Sequence, residues 1–115
     1  MTIERYQASG RMSQATKANG FVFLAGQVAD TLTASVQDQT REVLAKVDDL
    51  LAEAGTDKSK IVSVTVYMAD MAEFAGMNEV YDQWVDRTNL PPRASVQAAM
   101  ALPEFKVEIS LVAVA

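Results

Sequence analysis

Two stretches near the end of the chain hold charged and polar residues at a spacing that could do chemistry. The first reads Leu90-Pro91-Pro92-Arg93-Ala94-Ser95-Val96-Gln97; the second runs from Lys106 through Glu108 and Ser110 to Val114. Both alternate at a period of two and read as strands, joined by a turn-rich link that ends Leu102-Pro103. Arg93, Ser95 and Gln97 then share one face of the first strand, and Glu108 and Ser110 share one face of the second. An arginine and a glutamate on strand faces each need water or a partner. A guanidinium offers a planar fork that matches a carboxylate, and a glutamate carboxyl can accept and return a proton. The chain has no histidine and no cysteine. That excludes disulfides, thiolate chemistry, Ser-His and Cys-His nucleophile pairs, and zinc sites with nitrogen or sulfur ligands. From the residues alone, Arg93 and Glu108 read either as a site or as an ion pair that fixes a subunit seam.

The rest of the chain must position these two residues. Residues 2–8 read as a short edge strand, followed by a polar loop that contains Met12. Asn19-Gly20 is a strong hairpin signal ahead of the β-prone run Phe21-Val22-Phe23-Leu24-Ala25. Gly26-Gln27 ends that run, and Gly26 marks either a bulge or strand end or a place where a ligand or backbone comes close. Ser35-x-x-Asp38 predicts a helix start, and Val36, Thr40, Val43, Leu44, Val47, Leu50, Leu51 and Ala54 give that helix its buried face, with Gly55 as the stop. Ile61 to Met68 alternates as a strand. After a cap-like start at Asp70, Phe74, Met77, Asn78, Tyr81, Trp84 and Val85 recur at helical spacing. Asn78 is polar on that apolar stripe, so it needs a hydrogen-bond partner or a wet pocket. Pro91-Pro92 cannot continue the helix.

These elements predict an α+β domain spanning residues 1–115, with two helices on one face of a single sheet. The other face is expected to carry Ser63, Thr65, Tyr67, Arg93, Ser95, Gln97, Glu108 and Ser110 with Val112 and Val114. Such a face is too apolar to be simply wet, and a partner subunit is its economical cover. The formal charge of −5 and the lack of a basic stripe argue against nucleic acid as a partner. No apolar run reaches membrane-spanning length, and no secretory signal opens the chain, so a soluble cytoplasmic protein is the simplest expectation.

Five segments then matter in their order: Gly10-x-x-Ser13-Gln14-Ala15; Leu24-Ala25-Gly26-Gln27; Phe74-Ala75-x-Met77-Asn78-x-x-Tyr81-x-x-Trp84; Pro92-Arg93-Ala94-Ser95-Val96; and Lys106-Val107-Glu108-Ile109. Together they resemble the RidA/YjgF family of enamine/imine deaminases, and the wording around Asn78 and Trp84 is most similar to its short YoaB-like members. The resemblance implies a chorismate-mutase-like fold, a homotrimer with sheets facing inward, and clefts between subunits. It implies hydrolysis of reactive enamines and imines, such as 2-aminoacrylate, to 2-keto acids and ammonia, with no metal or organic cofactor.

By the same resemblance, Arg93 holds the substrate carboxylate and Glu108 positions water and handles protons. Asn78 lies near the cleft, and Gly26 lets its backbone lie against the ligand. Two positions depart from the family pattern. Met12 stands where many members have tyrosine, and a thioether cannot donate a hydrogen bond. Ser95 stands where some have cysteine. The alternative reading is a binding or regulatory module that holds a 2-keto acid in the same cleft without turning it over. A chaperone-like or ribonuclease activity, both claimed within the family, is a third; the acidic charge disfavours RNA.

Overall fold

The computed structural model describes all 115 residues, from Met1 to Ala115. Six strands form, β1 (Ile3–Tyr6), β2 (Ala15–Ala18), β3 (Phe21–Gln27), β4 (Ile61–Met68), β5 (Arg93–Gln97) and β6 (Val107–Val114), with two helices, α1 (Val36–Glu53) and α2 (Phe74–Trp84). They make one mixed sheet in the order β1-β2-β3-β6-β4-β5. Asn19 and Gly20 turn the β2–β3 hairpin with φ of 52° and 81°, the left-handed pair that a two-residue turn of this type demands. Helix α1 begins where its sequence requires: the Ser35 hydroxyl accepts a hydrogen bond from the Asp38 N–H at 3.1 Å. Asp70 instead caps a short 3-10 turn, Met71–Glu73, that leads into α2.

β4 and β5 are parallel, and α2 supplies the crossover that such a pair needs. β6 lies between β3 and β4, antiparallel to both. The chain's two chemically interesting strands, β5 and β6, are therefore not neighbours, because β4 separates them. Both helices pack on one face of the sheet, over a core that includes Val22, Val43, Val47, Leu51, Val66, Met68, Met77 and Ile109. The helices approach each other closely at Gly76, where a Cβ would stand 2.7 Å from a Val36 methyl. No helix is long and apolar enough to cross a membrane.

Register corrects one expectation. Residues paired across strands share a face. Glu108 pairs with Tyr67, Ser110 with Thr65 and Val112 with Ser63, and all of these point away from the helices, as expected. Arg93 pairs with Val64, Ser95 with Val66 and Gln97 with Met68, so these three face the helix layer instead. Period two says which residues share a face and is silent on which face it is. β5 is an edge strand, so its inward positions are half-buried at Arg93 and Ser95 and exposed at Gln97, and α2 supplies Arg93 with a partner in Asn78.

Candidate functional site

Arg93 opens β5 directly after Pro91-Pro92, and the Pro92 carbonyl accepts the Val64 N–H at 3.0 Å, which anchors the strand's start to β4. The guanidinium lies over two rings of α2, 4.5 Å from the Tyr81 centroid and 5.7 Å from that of Phe74. Such stacking contributes about 0.5–2 kcal/mol and orients the plane of the fork. Arg93 Nη2 donates to Asn78 Oδ1 at 2.9 Å. Asn78 thus has the partner its place on the helix stripe demanded, and it holds one edge of the guanidinium. None of the ion pairs in the chain involves Arg93. The cation is held by an amide and two rings, and its charge has no carboxylate to meet it.

Around the arginine, two hydroxyls are buried without a hydrogen-bond partner, those of Ser95 and Tyr81. Burial pushes the Tyr81 phenol above its ordinary value, with the Arg93 guanidinium pulling the other way. Phe74 and Tyr81 belong to the helical stripe that the sequence predicts, and here they also face the arginine. Their helical spacing with Asn78 was the signal that all three would share one surface.

Glu108 occupies the opposite face. Its side chain is half-buried and has no ion pair or hydrogen bond within the chain. Gly26 is the reason it fits. The β3–β6 register shifts between Leu24 and Gln27, and this bulge brings the Gly26 backbone against the glutamate. A Cβ at Gly26 would stand 2.8 Å from Glu108 Cδ and 3.0 Å from its Cγ, so only a glycine leaves the carboxyl its place. Gly26 is both a bulge and a point of close approach. The buried Gln27 side chain beside it donates to Gln14 Oε1 and to the Ala25 carbonyl, each at 3.0 Å, and fixes the loop that carries Met12. Met12 and Gly26 both line a cavity of about 500 Å³ bounded by Gln14, Lys46, Asp49 and Leu50. The structure therefore gathers Arg93, Asn78 and Ser95 on the helix face, and Glu108, Gly26 and Met12 around β3 and the start of β6.

Known proteins are similar to this chain along its whole length. The family described as Endoribonuclease L-PSP matches residues 2–115. A RutC family protein of Haemophilus influenzae is 41% identical over 98% of both chains. The RutC family protein YoaB of Escherichia coli is 39% identical, again over 98% of both. The chain belongs to the RidA/YjgF family. Its fold agrees: a YjgF family protein from Neisseria meningitidis superimposes with a TM-score of 0.96 at 41% identity, covering 99% of this chain and 95% of that one. A further member, Reactive Intermediate Deaminase A, chloroplastic, of Arabidopsis thaliana, is 36% identical over 92% of this chain and 59% of its own length.

Proposed function

We propose that this RidA/YjgF protein is a cofactor-free hydrolytic deaminase of reactive enamine and imine acids of the 2-aminoacrylate type, working in clefts between the subunits of a homotrimer. The observation that carries this reading is the Arg93 guanidinium, held over the Tyr81 and Phe74 rings, steadied by Asn78, and without a carboxylate of its own. A planar fork in that state suits the carboxylate of a small imino acid, at about 1.5–3 kcal/mol for a charged hydrogen bond. A relative that bears the name reactive intermediate deaminase supports the same chemistry.

The reaction balances without an oxidant. The enamine takes a proton from solvent at its β-carbon and becomes the iminium, the protonated imine. Water's oxygen bonds to the imine carbon while its proton passes to the Glu108 carboxylate. That proton moves on to nitrogen, the C–N bond breaks, ammonia leaves, and loss of the hydroxyl proton gives the 2-keto acid. A positioned carboxyl in this role contributes about 10²–10⁴ in rate.

Geometry and surface support an assembly of copies. Arg93 and Glu108 point from opposite faces of one sheet, so one ligand can meet both only when two copies each contribute a half. The outward face exposes Phe21, Phe23, Val62 and Val96, between 39% and 45% each, an apolar surface that a second copy would cover. The net charge of −5 gives no attraction for a phosphate backbone.

Met12 favours a second reading, a module that binds a 2-keto acid without turnover, because its thioether lacks the hydrogen bond a tyrosine would donate. One experiment separates the two. Purified protein is mixed with a system that generates 2-aminoacrylate, 2-keto acid release is followed, and pyruvate binding is measured by calorimetry. The deaminase reading predicts turnover that Arg93→Ala abolishes. Pyruvate binding with no turnover of any imino acid tested supports the module, and equal rates for wild type and Arg93→Ala end the deaminase reading.

A further inference from the structure

Glu108 is the second residue of β6, where strands fray, and its support there is one-sided. On the β4 side, Val107 pairs with Met68 and Glu108 with Tyr67, and the Lys106 carbonyl accepts the Ala69 N–H at 3.1 Å. On the β3 side the ladder resumes past the bulge at Gly26, and its last pair is Gln27 with Ile109, one residue beyond Glu108, because β3 ends at Gln27. The approach to β6 is the irregular link of residues 98–106. A single side chain from the helix layer ties down its end.

That side chain is Gln39, in the first turns of α1 and wholly buried. Its Oε1 accepts the Lys106 N–H at 2.9 Å, and its Nε2 donates to the Glu104 carbonyl at 3.0 Å and to the Ala34 carbonyl at 3.4 Å. One amide thus takes both backbone groups of the link's end and binds them to the start of α1. An apolar residue of the same size would fill the space as well, so packing alone does not call for glutamine here. Its two ends match two backbone groups of the link, which lies outside the ladder of β6. The other end of the link has a similar tie, where Gln97 Oε1 accepts the Met71 N–H at 2.9 Å.

We infer that Gln39 is a positioning residue for Glu108. By clamping residues 104 and 106 it stops the open end of β6 from fraying and holds the Glu108 carboxylate over Gly26. It does not touch the ligand. The catalytic part of this inference rests on the deaminase reading above, and the clamp itself does not.

The test is Gln39→Met, which keeps the volume and removes both amide ends. Amide hydrogen exchange is measured with turnover on the full chain. The inference predicts faster exchange, by about tenfold or more, confined to residues 106–108, with Leu111 and Ala113 unchanged as controls. It also predicts that kcat falls about ten- to a hundredfold while KM, set by Arg93, stays within about twofold. Gln39→Glu, which keeps the acceptor for the Lys106 N–H, should recover part of the kcat. Exchange that rises equally throughout β6, or does not rise at all, overturns the clamp. Local exchange with unchanged kcat overturns the positioning role. If the wild type turns over nothing, the deaminase reading fails, and exchange still decides the clamp.

Discussion

Arg93 and Glu108 extend from opposite faces of the same sheet, with β4 between their strands. Each is prepared by different neighbours. The arginine leans on α2 through Asn78, Tyr81 and Phe74. The glutamate depends on the absence of a side chain at Gly26. Neither is neutralised within its own chain, and the proposed reading joins the two half-sites by bringing copies together.

Arg93 should behave as a fork rather than as a charge. Arg93→Lys keeps the cation and loses the planar pair of donors and the stacked geometry. Steady-state kinetics should show KM raised about tenfold or more, in line with a lost charged hydrogen bond. Asn78→Ala should raise KM in the same direction but less, with a stability loss of about 1 kcal/mol in urea unfolding. Unchanged KM in both variants would mean the guanidinium does not meet the substrate.

Gly26→Ala tests the seat of Glu108. A methyl there collides with the carboxyl group, which can swing aside more readily than the β3 backbone can move. The expected result is a kcat loss approaching that of Glu108→Gln, about 10² or more, with a far-ultraviolet circular dichroism spectrum like the wild type's. Full activity in Gly26→Ala would show that the carboxyl need not lie where it does.

The outward apolar face carries its own prediction. Phe23 is 45% exposed beside Phe21, and its ring centroid lies 6.4 Å from that of Phe21. Phe23→Asp places a charge in the middle of this surface. Sedimentation velocity should show the assembly dissociating, with deaminase activity lost in parallel, while the wild type stays associated at the same concentration. A variant that remains as large as the wild type would show that copies do not meet on this face.

Acid stability should trace in part to the loop between β3 and α1. Glu42 accepts the backbone N–H groups of Asp30 and Thr31 at 3.0 and 3.1 Å. Hydrogen bonds from Thr31, side chain before backbone, and then from Asp30 hold its carboxyl below the ordinary glutamate value. A depressed folded pKa means the unfolded chain binds the proton more readily. The stabilisation is therefore complete above the unfolded pKa and is lost as pH falls through the folded one. Urea midpoints measured from pH 7 down to pH 3 should fall less steeply for Glu42→Gln than for the wild type. Parallel curves would remove Glu42 from the account.

Much of this was legible in the sequence, for physical reasons that can be named. Asn19-Gly20 and the Ser35 cap act within a few residues, so their signals survive without the fold. Asn78 stood out because a polar residue interrupted a helical apolar stripe. Gln39 carried the same mark, three residues after Val36 and four before Val43, but its partners at residues 104 and 106 are more than sixty positions away and leave no local trace. β2 was hidden because Ala15-Thr16-Lys17-Ala18 is short and weakly patterned, and it forms by pairing with β3 across the hairpin. The face of Arg93 was misread because an edge strand under a helix tolerates polar residues on its inner side. Only the register with β4 distinguishes that case from an outward one.

Mixing two inactive variants tests the divided site most directly. Arg93→Ala and Glu108→Gln are unfolded together, refolded as a mixture, and assayed for 2-keto acid release beside each variant treated alone. If a cleft takes its arginine from one copy and its glutamate from another, random association rebuilds intact clefts at about one in four, so activity should return to about a quarter of the wild type's. A mixture as inactive as its two parents, although they associate, would contradict the account.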